Sequence, residues 1–312
     1  VLFRSIYIER GQIDKALEYH QKSVNMFLGS FEPDDINLLN PYVHLSVVNR
    51  ILGNYEIALK YAKRALNTGL TNYGADSLDM LDCYNSLGLI YHSQGRYLLG
   101  FQYHLKQLDM LKDANLTNHP DWAYTEACIC MSYLELGQYE GALRGFKSAY
   151  ELAEKFLGES HYKMSFYNLN LGHAYLKLNE LEKAEEHYKR ALDLSRKFFE
   201  EPNIYIADSI EGLGKVFQKQ QKYDEAMDYC LYALDMRAKQ QGKKSLAVAM
   251  SYNSIGDIFT DQKSYEKALK NYELADEILR DETYIDHPTR GRTLLGMGEI
   301  YLKQGKTKDA LN

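Results

Sequence analysis

Nine histidines and four cysteines are the residues of this 312-residue chain best suited to hold a metal or to carry acid–base and nucleophilic chemistry. Their spacing speaks against each use. His20, His44, His92, His104, His119, His161, His173, His187 and His287 include no His-x-x-x-His pair and no HExxH stretch, so no helical face brings two imidazoles to one ion. Cys128 and Cys130 stand two apart rather than three, and neither Cys83 nor Cys230 completes a zinc or redox motif. All four are read as buried thiols in a reducing compartment. The stretch EGLGKVF (211–217) has Gly-x-Gly but no third glycine, no lysine–serine pair and no preceding strand, which makes it a helix-packing feature rather than a phosphate cradle. Glu185 and Glu186 sit beside Lys189 and Arg190, the pattern of an ion-paired helix surface. No catalytic residue, metal or cofactor is expected.

The balance of 37 basic against 43 acidic residues gives −6, so no polycationic surface invites nucleic acid or anionic lipid. No apolar run approaches the ~20 residues that span a bilayer, and VLFRSIYIERGQ at the start lacks the form of a signal segment. A cytoplasmic location is the expectation. Five prolines against 27 tyrosines suit helices whose gaps are filled by large side chains with one polar tip.

What positions these residues is a repeat. Steps of 42 from Ala184 meet Ala16, Ala58, Gly100, Ala142, Ala226, Ala268 and Ala310, a small residue each time. Nine before each anchor stand Tyr7, Asn49, Tyr91, Tyr133, Tyr175, Phe217, Phe259 and Tyr301. Twelve before it are Gly88, Gly172, Gly214, Gly256 and Gly298, with Arg4, Ser46 and Cys130 in the other units. Five before it are Gly11, Gly53, Gly95, Gly137 and Gly305, with Asn179, Gln221 and Lys263 replacing glycine. That last column marks the left-handed residue that ends a first helix. A second helix then runs through stretches such as YEKALKNYELADEIL (265–279), with apolar residues at helical spacing. His104 and His187 fall on or beside the aromatic column of this second helix and are read as core. His119, His161 and His287 fall in the polar linkers, as turn or capping residues. Helix pairs of this size cannot bury their apolar faces alone, so the units must stack.

Gly172, Tyr175, Ala184, Tyr188 and Ala191 resemble the tetratricopeptide repeat, whose usual period is 34 residues. The longer period, FLGESHYKMSFYNLNLG (156–172) and the His-Pro pairs at 119–120 and 287–288 resemble the repeats of kinesin light chain and of bacterial signalling arrays. Repeats of the HEAT type share the period but lack these columns. The resemblance implies an all-α, right-handed superhelical solenoid of stacked antiparallel helix pairs over residues 1–312. There would be about eight units, the first and last incomplete, with protein continuing beyond both ends. It also implies that first helices line a concave groove. The exposed groove positions, 15, 14, 11, 8 and 7 before each anchor, include Asn85, His92, Asn170, His173, Lys177, Glu211, Lys215, Asn253 and Asp257. Asn85, Asn170 and Asn253 would hold a peptide main chain, and His173, Lys177, Glu211, Lys215 and Asp257 would select side chains. The Lys, Asn and Arg run with which the chaperone-tail version of this fold clamps two carboxylates is missing. The expected function is a non-catalytic scaffold for a peptide or helix of a partner protein. The alternative is the sensory part of a longer signalling protein whose protease, kinase or transcription-regulating domain lies beyond residue 312.

Overall fold

The computed structural model describes residues 12–306. Fourteen α-helices follow one another, with no strand among the described residues: α1 (Ile13–Leu28), α2 (Leu39–Ile51), α3 (Tyr55–Asn72), α4 (Leu81–Ser93), α5 (Tyr97–Asp113), α6 (Pro120–Glu135), α7 (Tyr139–Leu157), α8 (Met164–Lys177), α9 (Leu181–Phe198), α10 (Ile204–Lys219), α11 (Tyr223–Gln241), α12 (Leu246–Asp261), α13 (Tyr265–Leu279) and α14 (Pro288–Lys303). They make six complete pairs, preceded by the second helix of unit one (α1) and followed by the first helix of unit eight (α14). Arg4, Tyr7, Gly11 and the anchor Ala310 lie outside the described residues. First helices run 13 to 16 residues and second helices 15 to 19, so the extra length of the repeat goes mainly to the second helix and the linkers.

The turn within each unit obeys the column five before the anchor. Gly53, Gly95, Gly137 and Gly305 have φ between 73° and 82°, and Asn179, Gln221 and Lys263 are forced to about the same place at 61°, 63° and 60°. The amide of the following residue then reaches back to the first helix, as Asn54 N does to Asn49 O at 2.8 Å. The linkers between units work differently: their polar residues cap the next first helix. His119, Asn203, Ser245 and His287 accept from the free amides of Asp121, Tyr205, Val248 and Thr289. Asp35 and Ser77 do the same for one-turn 3₁₀ segments that lead into α2 and α4.

Packing explains the glycine column. A Cβ on Gly172 would stand 2.8 Å from the Tyr188 ring, and one on Gly256 2.8 Å from the Tyr272 ring; Gly88 faces His104 and Gly214 faces Cys230 in the same way. The side chain four after each anchor therefore occupies the space that glycine leaves open. Unit four reverses the bargain, since Cys130 replaces glycine and packs against Gly145 on the opposing helix. The anchors Ala58, Ala142, Ala184, Ala226 and Ala268 are fully buried, as are Tyr188 and Phe146. Each large side chain so buried contributes roughly 1.5–3 kcal/mol. Nothing in the described residues is long and apolar enough to be a membrane-spanning helix.

The stack curls until its edges meet. Gln241 Nε2, at the end of α11, donates to Ile51 O at the end of α2 over 2.6 Å. Tyr55 packs edge-on against Tyr284, with centroids 6.3 Å apart, inside a cluster that includes Leu246, Ala249, Ala275 and Leu279. One unit further on, Gly95 lies against Pro288 and His287. The turn of one unit thus rests on the linker met four to five units later.

Candidate functional site

Successive first helices touch one another, while successive second helices do not reach comparable contact, so the first helices form the inner, shorter wall. Edge closure bends that wall round on itself, and its inner side is the candidate channel. Its rows follow the helical period. The row eleven before the anchors reads Val47, Leu89, Met131, His173, Lys215 and Asp257; the row one to two turns above it includes Tyr124, Phe166, Asp208 and Met250. On the row eleven before the anchors, units two to four are apolar where units five to seven are polar or charged.

The charged side is organised by intramolecular partners. His173 Nδ1 lies 2.7 Å from the Tyr188 hydroxyl. Burial, then the nearby Lys215 ammonium, pushes the imidazole down to about 3, so the ring is neutral and shares one hydrogen bond with the phenol. Two units on, the Tyr272 hydroxyl donates to Asp257 Oδ1 at 2.7 Å, and Arg292 holds the other carboxylate oxygen at 2.5 Å. Glu211 is 2% exposed and is held by Arg237 of α11, by Lys215 Nζ at 2.5 Å and by the hydroxyls of Ser251 and Ser254 at 3.2 and 3.0 Å. Burial alone would raise its pKa, but Arg237 and Lys215 outweigh burial and keep it ionised well below the usual range. Arg237 also binds Asp208 at 2.6 Å, whose carboxyl burial nonetheless raises. Lys177 is exposed; desolvation, with Arg292, Lys215 and Lys219 around it, lowers its pKa against the pull of Glu135.

The expected groove residues fall into two groups. His173, Lys177, Glu211, Lys215 and Asp257 come together as one electrostatic neighbourhood on α8, α10 and α12. Asn253 joins that side but exchanges hydrogen bonds with Thr293 of α14 at 2.8 and 3.0 Å, and Asn170 Nδ2 donates to Phe166 O at 2.8 Å. Asn85 and His92 lie apart on α4. Asn85 Oδ1 and His92 Nε2 are buried and have no hydrogen-bond partner. Burial pushes His92 down to about 4, and its ring stands 5.1 Å from that of Tyr97.

Sequence reasoning passed over Arg50, Tyr124, Asp208, Arg237 and Arg292. Arg50 stands eight before Ala58, on a row already marked as groove-facing, so its signal was present. Tyr124, Asp208 and Arg292 lie eighteen before their anchors, one turn above the rows considered. Arg237 reaches the channel from a second helix, for which the repeat carries no signal. The remaining histidines and the cysteines serve structure. His187 Nδ1 meets Asn168 Oδ1 at 2.9 Å, His161 Nδ1 accepts from Lys163 N at 3.2 Å, and His104 is 1% exposed. All four cysteines are free and buried, with thiols pushed up to about 12 by burial. No group of three or more His, Cys, Asp or Glu among the described residues is placed to hold a metal ion.

The profile of the tetratricopeptide repeat family matches residues 5–69, 42–113, 122–197 and 205–281. Among solved structures, NprR in complex with its cognate peptide NprX aligns with a TM-score of 0.68 at 15% identity, over 96% of this chain and 86% of that one. A Rap protein complexed with Competence and Sporulation Factor aligns with a TM-score of 0.62 at 14% identity, over 92% and 81%. BtubC (BKLC) from P. vanneervenii aligns with a TM-score of 0.51 at 19% identity, over 74% and 92%. At these identities the likeness is one of fold. No curated protein sequence matches the chain.

Proposed function

The chain belongs to the tetratricopeptide repeat family, and we propose that it is a non-catalytic interaction scaffold that takes a peptide, or a helix of a partner protein, along the channel of its first helices. The observation that carries this reading is the inner wall of first helices, which presents the exposed Lys177 beside Lys215 and leaves Asn85 Oδ1 without a hydrogen-bond partner. A buried polar atom left unmatched costs about 1–3 kcal/mol, and the main chain of a ligand offers the missing donors and acceptors. Support comes also from NprR, which shares the fold and was solved with a cognate peptide. In this reading Asn85, His92 and Asn170 meet the ligand main chain, while His173, Lys177, Lys215 and Asp257 read its side chains. Glu211 and Asn253 are already engaged with Arg237 and Thr293, so they hold the wall in shape.

The test uses a random heptapeptide pool, fluorescently labelled, with the intact chain as the receptor. Asn170→Ala combined with Lys177→Ala is expected to weaken retention about 10-fold or more, because it removes a main-chain contact and a free ammonium together. Unchanged retention by the double variant would exclude α8 from the binding wall.

A further inference from the structure

Arg50 alone among the arginines of the described residues is half-buried and holds neither a carboxylate nor an aromatic face. Its neighbours in sequence explain its position. Ile51 O is tied to Gln241, and Tyr55 packs on Tyr284, so the last turn of α2 is pinned where the two edges of the stack meet. From there its charge acts on Tyr55, His92, Tyr124 and Cys128, groups from three successive units that converge on the channel. The acid on the far wall, Asp208, is occupied by Arg237 at 2.6 Å and does not neutralise it. Two more unmatched atoms, Asn85 Oδ1 and His92 Nε2, belong to the same stretch of wall. A guanidinium taken partly out of water without an anion is expensive, and its fork of N–H donors matches a carboxylate in two places at once.

We propose that Arg50 is the anchor for a carboxylate of the bound peptide, supplied by its C-terminus or by an aspartate or glutamate side chain. The inference rests on the channel being a peptide site and adds the chemistry that the peptide must bring. Arg50 forms the paired hydrogen bonds, and Asn85, whose amide presents either an oxygen or a nitrogen, holds the adjoining peptide group. The Tyr124 ring lies within range of the Arg50 charge, so the residue carrying or preceding the carboxylate meets an aromatic neighbour. This is one half-buried arginine, distinct from the three-unit clamp that the sequence lacks.

Three labelled heptapeptide pools separate the possibilities: free C-termini with no Asp or Glu, amidated C-termini with Asp or Glu, and amidated C-termini with neither. The wild-type chain is expected to retain the first or the second at least ~30-fold better than the third, and which of the two it retains identifies the source of the carboxylate. Arg50→Gln should reduce retention of that pool to the level of the third, and Arg50→Lys should keep part of it, with urea midpoints confirming that both variants fold. Equal retention of all three pools, or full retention by a folded Arg50→Gln chain, overturns the anchor while leaving the peptide site standing. Failure of the wild type to retain any pool removes the peptide site and the anchor together.

Discussion

At the scale of the residue, the fold depends on side chains that fill what their opposite number leaves empty. Tyr188 is caught between Gly172 of its own unit and Gly212 of the next, and a methyl group on either glycine would press on its ring. Gly172→Ala should therefore destabilise the chain by about 1–3 kcal/mol in urea titration, more than Ala at an exposed helical glycine would. The turn column offers the opposite test. Lys263 sits at φ 60°, where a side chain costs about 1–2 kcal/mol that glycine does not incur. Lys263→Gly should raise stability by about 1 kcal/mol after the entropic cost of glycine. Buried histidines set the acid side of the stability curve. Burial holds His104 at about 4, below its unfolded value near 6.5, so the unfolded chain binds the extra proton between those limits. Stability is fully present above pH 6.5 and is lost as pH falls toward 4. His104→Phe should shrink the drop between pH 7 and pH 5 by roughly 2 kcal/mol, read from urea midpoints at the two values. These positions were legible: the small residues and the turn residues are written as columns, because every unit solves the same steric problem. His92, His173 and Asp257 also stood on named rows. What the rows cannot tell is that Tyr188 and Tyr272 would reach two of them from behind and take up part of their hydrogen-bonding capacity.

At the scale of the element, long side chains join helices that the repeat treats as separate. Arg237 of α11 ties Glu211 and Asp208 of α10 to Ser251 of α12, and so fixes how three helices meet behind the charged wall. Arg237→Met removes the main counter-charge of a buried carboxylate and should cost about 3–5 kcal/mol, far more than loss of the exposed Lys189–Glu185 pair. A period of 42 residues could not disclose this network, since Arg237 has no equivalent in the other units. The closing edge escaped sequence reasoning for a related reason. The number of units per turn depends on small rotations between neighbours, which no single column encodes. Tyr284→Ala deletes the ring packed against Tyr55 and should loosen the closure. A larger radius of gyration in small-angle scattering, with helix content unchanged, is the expected result.

At the scale of the whole molecule, the chain is a wall of first helices bent round until its edges meet, with the row eleven before the anchors apolar in the early units and polar or charged in the later ones. Its architecture was readable because stacking leaves one solution for helices of this pattern. Its ligand chemistry was not, because that depends on which groups remain unpaired after folding, and the half-buried Arg50 and the α4 atom Asn85 Oδ1 are among those the repeat columns do not mark. The most direct test of the account is hydrogen–deuterium exchange of the intact chain with and without a retained heptapeptide pool. Slower exchange on α2, α4, α8, α10 and α12, with α5, α7 and α9 unchanged on their outer faces, is the predicted footprint. Protection confined to the second helices, or none at a concentration where the pool is bound, would contradict a ligand in the channel.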